Sequence, residues 1–214
     1  MITFFKSVYD PNDPTKNGGS ITDKQIESGV LEAFVPNVSP FLAERGGERW
    51  LKFFIKTDSL IKNVGICLVK PTDSPTEEVY LTLGTKIDHE SDLDKSGARF
   101  FGSFVISTID RDNKSVTADR DVSSFVQKGD LITFYGQYQE RLTTLEVNMV
   151  SQNDISFIDF DDISAAKTGG STIFLPTLQA DDYIGVWVRQ VIQPHTKPME
   201  NPPDNFVVGV WYEQ

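Results

Sequence analysis

The sequence predicts an all-β protein, an antiparallel β-sandwich that carries a small inserted β subdomain. Three observations lead there. Residues 47–83 hold three apolar runs of period two separated by turn-rich segments. Leu51, Phe53 and Ile55 alternate with Lys52, Phe54 and Lys56; Val64, Ile66 and Leu68 alternate with Gly65, Cys67 and Val69; Val79, Leu81 and Leu83 alternate with Tyr80 and Thr82. That period sends successive side chains to opposite sides of a pleated backbone, so each run is read as a strand with one buried face. The chain also holds 15 Phe, 6 Tyr and 3 Trp with few stretches of helical period, a composition that suits half-buried pleated surfaces. Finally, many of its 15 Gly and 11 Pro punctuate the segments between the runs, where turns need them.

In order along the chain, residues 2–8 are a short apolar strand candidate, followed by a loop rich in Pro, Asp, Asn and Gly. Residues 1–20 are therefore read as an N-terminal arm. In residues 21–35, Ile21, Gln25 and Ile26 share a helix face until Ser28-Gly29 interrupts it, and the reading is extended chain with one helical turn. The next segment is read as a connection to the first strong strand, 49–57. Past Leu83 the polar, acidic stretch to Ala98 reads as a surface loop. Strands resume over 99–107, which is expected to be buried along most of its length.

Between 108 and 170 come four short strand candidates, 115–118, 131–135, 145–150 and 155–160. Before the second of these, Gly129 suits a positive φ and Asp130 can bond the local backbone. The segment 108–170 is read as the inserted subdomain; the alternative is a set of extra hairpins on one sheet. Strands then return at 171–192 and 205–213, where Gly209 marks a bulge or a close backbone approach. Four of the 11 prolines lie in the intervening loop 193–205, which should be stiff and exposed. The expected layout is an immunoglobulin-like or jelly-roll-like sandwich built from 21–107 plus 171–214.

A formal charge of −11, from 31 acidic and 20 basic side chains, does not make a surface that neutralises phosphates, so no nucleic-acid partner is expected. Acidity of this kind keeps an abundant protein soluble. The single cysteine, Cys67, cannot form an intrachain disulfide and reads as a buried, inert thiol on a strand. No apolar run reaches membrane-spanning length and the start lacks the pattern of a secretory leader, so the expectation is cytosolic synthesis with no membrane partner.

Catalytic chemistry finds little support. His89 and His195 sit in separate polar loops without a second ligand at metal-binding spacing, and no nucleophile elbow, phosphate loop or HExxH motif occurs. The chain is therefore expected not to be an enzyme. Carboxylates cluster at Asp159, Asp161 and Asp162, at Asp181 and Asp182, and at Asp88, Glu90, Asp92 and Asp94. The alternate acids Asp88, Glu90 and Asp92 are the candidates for calcium, the one cofactor considered, although the central glycine and closing glutamate of an EF-hand are missing. A glycosidase would need two carboxylates facing across a cleft, which these turns do not specify. Trp50, Phe54, Tyr135 and Tyr138 fall outside the core phase, so they either anchor a protein interface, the favoured reading, or stack on sugar rings.

Five segments, 18–22, 26–40, 46–56, 64–85 and 175–192, resemble in their order structural proteins encoded among the virion genes of tailed bacteriophages. In those proteins a glycine-rich start leads to a strand of the type ERxxFxKN, then to xPSPxxxVxLxLGT, and late in the chain to LxAGDxIGxWVRRxV before a proline-containing loop. Here Asp181-Asp182 stands for the Gly-Asp turn and Gln190 for the second Arg, and 108–170 has no counterpart. The resemblance spans roughly half of the chain. It implies an assembled, non-enzymatic virion component on a β-sandwich scaffold, made in the host cytoplasm, without a station in the particle; the favoured expectation is that it decorates or stabilises the capsid or the neck and head-tail region. Its partners would be capsid, neck or tail proteins and further copies of itself. Within that reading, Phe4, Phe5, Trp50, Tyr135, Tyr138, His195 and Pro198 are the candidate contact residues. A carbohydrate- or receptor-binding module on the virion surface is the alternative.

Overall fold

The computed structural model describes residues 1–27, 34–197 and 206–213. They form a nearly all-β protein in which every named strand pair is antiparallel. One sheet of the sandwich joins β1 (Ile2–Lys6), β2 (Gly47–Thr57), β12 (Tyr183–Ile192) and β4 (Glu77–Leu83), in the order β1-β2-β12-β4. The facing sheet has the order β11-β3-β13, from β11 (Ile173–Leu175), β3 (Lys62–Lys70) and β13 (Val207–Glu213). Between them lies a core of Leu51, Phe53, Ile55, Val64, Ile66, Leu68, Leu81, Val186 and Val188, each at most 3% exposed.

The remaining strands close a six-stranded barrel: β5 (Ser103–Asp110), β6 (Ser115–Ala118), β7 (Leu131–Tyr135), β8 (Arg141–Ser151), β9 (Asp154–Phe157) and β10 (Thr168–Ser171). It has its own core, including Phe104, Ile132, Phe134, Leu145, Val147 and Phe157. Closure abolishes the open strand edges that would otherwise invite pairing with other chains.

The segment read as strand 99–107 enters the barrel: pairing starts at Ser103, and residues to Asp110 join β6 and β10. The barrel thus draws on residues that the sequence places in the sandwich. Its last strand was invisible in the sequence, because Thr-Gly-Gly-Ser has no alternating apolar signal. Yet β10 is what closes the ring, pairing with β5 on one side and β7 on the other. Its glycines are there for proximity. A Cβ at Gly170 would stand 2.1 Å from the carbonyl oxygen of Leu68 in β3, so barrel and sandwich backbones meet at this point. Because a backbone atom cannot rotate aside, Gly170→Ala is expected to cost about 1–3 kcal/mol, the usual range for overpacking. Urea denaturation compared with the parent protein measures it; an unchanged midpoint would refute the contact.

Three other local readings change. The strand β2 is buried on both faces, not one: Leu51, Phe53 and Ile55 face the sandwich core, while Trp50, Lys52 and Phe54 lie under loops that cover the opposite side. Residues 2–6 do not extend as an arm. They pair along β2, with Phe4 packed against the core and its ring 6.0 Å from that of Phe53. The outer edge of β1 is in turn bonded by the chain at Thr22, Lys24 and Ile26. The connection before β2 contains a short helix, α1 (Pro40–Arg45), with its signals in place: Ser39 accepts from the Leu42 N–H at 3.2 Å, proline opens the first turn, and the Gly46 N–H bonds the Leu42 carbonyl. Six residues give it no periodicity to detect.

Candidate functional site

The predicted contact residues divide into interior and surface groups. Trp50 and Tyr135 are buried, at 2% and 4% exposure. Phe5, opposite Phe54 in the β1–β2 ladder, is half-buried like Phe4. By contrast, Tyr138 is 86% exposed in the β7–β8 turn. His195 is also exposed; its Nδ1 lies 3.1 Å from Glu44 Oε1 and its N–H bonds the Glu44 carbonyl, which fixes the loop after β12 to α1. Pro198 lies outside the described residues. Of the four rings proposed as a sugar-stacking face, Trp50, Phe54 and Tyr135 are interior and only Tyr138 is accessible.

Asp88, Glu90 and Asp92 do not converge on one point. Asp88 turns inward to Lys52, whose side chain is 0% exposed and whose Nζ donates to Asp88 Oδ1 at 2.6 Å and to the carbonyls of Gly19 and Asp88. Thr85 also donates its N–H and hydroxyl to Asp88 Oδ1, and the other Asp88 oxygen accepts from the Trp187 indole N–H at 2.8 Å. Burial works against ionisation of Asp88, but these donors outweigh it and hold the carboxyl below its usual range. Glu90 instead accepts from Asn17 and Lys95, and Asp92 accepts from the His89 N–H. Among the described residues no three acidic, histidine or cysteine side chains are grouped as metal ligands. Lys52 carries no sequence signal of burial, because on a one-faced strand it would be solvated.

The structure gathers a different set of residues at the junction of barrel and sandwich. The outer face of β3 carries Cys67 and Val69, against which β7 lays Tyr135, its hydroxyl 3.0 Å from the Cys67 sulfur. Burial pushes the Cys67 thiol up to about 11 and also raises the Tyr135 hydroxyl, so both stay protonated near neutrality. That neutral pair is packing. The Tyr135 hydroxyl also lies 2.6 Å from where a Cβ would stand on Gly209, which makes Gly209 the close approach its sequence context suggested.

Beside this contact opens a cleft of about 280 Å³, walled by the β7–β8 hairpin on one side and β13 on the other. The hairpin supplies Gln139 and Arg141; β13 supplies Trp211. Trp211 pairs with Gly65 in the register of β13 and β3 and lies over it, its ring 5.4 Å from Phe174, which follows from the pairing of Phe174 with the same glycine. The Arg141 guanidinium sits 4.1 Å from the Trp211 ring centroid, a cation–π contact, and donates to the Thr144 hydroxyl. Trp211 carries a buried indole N–H without an acceptor among the described residues.

Tyr135 and Tyr138 were foreseen near this place, whereas Arg141, Gln139 and Trp211 were not. Arg141 and Trp211 are far apart in the chain, and no local motif links them. Chemically the cleft offers a cation, an amide and apolar walls. It offers recognition, and it contains no nucleophile paired with a base. No family model, no curated protein and no solved structure matches the chain.

Proposed function

We propose that the protein is a non-enzymatic structural component of a tailed-phage virion, decorating or stabilising the capsid or the neck and head-tail region through multimeric contacts. The observation that carries this reading is where the resembling segments lie. Segments 46–56, 64–85 and 175–192 supply most of β2 and β3 and all of β4 and β12, the frame of the sandwich, whereas the barrel is built largely from 108–170, which has no counterpart.

Two departures from the resembling pattern support it further. Asp181, at the position where the pattern carries glycine, has φ 64°, in the left-handed region that glycine favours. Gln190, where the pattern has a second arginine, faces Arg49 across the β2–β12 ladder and accepts its Nε–H at 2.8 Å. A shared scaffold with a private barrel suits a family of assembled proteins that differ in what they display.

The test is proteomic. Infectious particles of the encoding phage, purified and digested, should yield peptides of this chain in an amount matching a symmetric layer; their absence would end the structural reading. The receptor-binding alternative keeps one accessible ring. If glycan-array binding appeared and disappeared with Tyr138→Ala, that alternative would replace the structural one.

A further inference from the structure

Among the described residues, the sandwich has a long open edge at β13. On one side this seven-residue strand pairs with β3; along the other, no backbone hydrogen bond joins it to another described residue. A cleft on one face of a sheet is lined by alternate residues of a strand, because successive side chains point to opposite faces. Here five consecutive residues, 207–211, line it. The cleft therefore lies over the outer face of β13, beside Val69 and Tyr135, and reaches the strand's backbone at Val208 and Val210, whose side chains pack into the sandwich core, while the β7–β8 hairpin overhangs it.

Unpaired strand edges are templates for a further strand, with main-chain hydrogen bonds supplying affinity and neighbouring pockets supplying selectivity. Charge indicates what should occupy this one. The chain carries −11 overall, and Arg99, Arg111, Arg120 and Arg189 each hold a carboxylate. Arg141 has no carboxylate within ion-pair distance among the described residues, although it stands in the cleft, stacked on Trp211 and fixed by Thr144. An immobilised arginine with free donors is preorganised for a carboxylate. A second copy of β13 would not satisfy it, since the copy would bring another Arg141 to the same site.

We propose that this cleft is a strand-addition site for an extended peptide segment of a partner protein, paired along β13 and carrying an acidic side chain to Arg141. The inference stands apart from the virion reading, because it needs only the edge and the cation.

A random dodecapeptide display library panned against the full chain tests it. Enriched peptides are expected to alternate apolar residues and to share an Asp or Glu. As synthetic peptides they should bind the parent protein roughly ten- to a hundredfold more tightly than Arg141→Gln, the range for a hydrogen bond to a charged group. N-methylation of alternate peptide amides should abolish binding in one of the two phases, since it blocks main-chain pairing and leaves the side chains intact. Should Arg141→Gln unfold, hydrogen exchange on the parent protein serves instead: peptide should slow alternate β13 amides. No enrichment, acid-free peptides indifferent to Arg141→Gln, binding that tolerates N-methylation in both phases, or unchanged β13 exchange would each overturn the proposal. So would a concentration-dependent homodimer that buries β13.

Discussion

Asp88→Ala is expected to destabilise the protein by about 3–5 kcal/mol, the range seen when one member of a buried ion pair is removed. The reason is the ammonium left behind. Lys52 has no exposed side-chain surface, and its only remaining acceptors would be the Gly19 and residue-88 carbonyls. Burial already lowers the Lys52 pKa, with Asp88 partly restoring it, so removing Asp88 should push it lower still. The same change frees the Trp187 indole N–H and unpins residues 17–19 and 85–90, which cover the outer side of β2. Chemical denaturation measures the loss. The double replacement Lys52→Met with Asp88→Leu should recover a large part of it, because a hydrophobic pair carries no desolvation penalty; equal damage in single and double variants would place the effect in the loop and not in the charge.

The ion pair also sets a pH dependence. Asp88 has a folded pKa below its ordinary value of 3.8, so the unfolded state binds the proton first. Its contribution is complete above that value and is lost as pH falls through the lowered one. Lys52 gives the same sign at the alkaline end: its folded pKa is lowered from 10.5, so the unfolded state holds more protons at high pH and stability rises there with pH. Asp88→Asn should flatten the acid limb of a stability profile and shift the alkaline limb to lower pH, because the charge that partly restores the Lys52 pKa is gone.

Phe134→Ala is expected to cost about 3–5 kcal/mol, the usual range for a buried Phe to Ala. Phe134 is fully buried, its ring 5.5 Å from that of Phe157, and its backbone neighbour in β10 is Gly169, which has no side chain to fill the void. The damage should be local. Barrel and sandwich have separate hydrophobic cores, so hydrogen exchange should quicken across β5 to β10 while β2 and β12 keep their protection. Uniform acceleration in all strands would mean that the two cores unfold as one unit.

How far the sequence could be read follows from these same residues. Strands β6 and β7 are legible to the residue, and β2, β3, β4 and β12 nearly so, because alternation between turn residues is a local signal that survives any tertiary arrangement. The strand β10 is illegible because two glycines carry no pattern, and their reason for being there is a neighbour, Leu68, that is remote in the chain. Lys52 and Trp50 were misread for a related cause. Period two tells which residues share a face, but not that a second layer covers the other face.

The candidate cleft shows the limit most plainly. Tyr135 and Tyr138 drew notice as aromatic residues out of phase, but Tyr135 is packing against Cys67 and Tyr138 stands alone in solvent. What makes a site is Arg141 lying on Trp211 beside an unpaired strand edge, and none of that is local. The amino-acid sequence alone determined the all-β class, most strand positions and a net charge of −11, because these depend on short-range period, turn chemistry and summed charge. Tertiary structure decided which faces are covered, that six strands close into a barrel, where Asp88 finds Lys52, and which edge is left open, because each of these is fixed by contacts between residues that the chain keeps far apart.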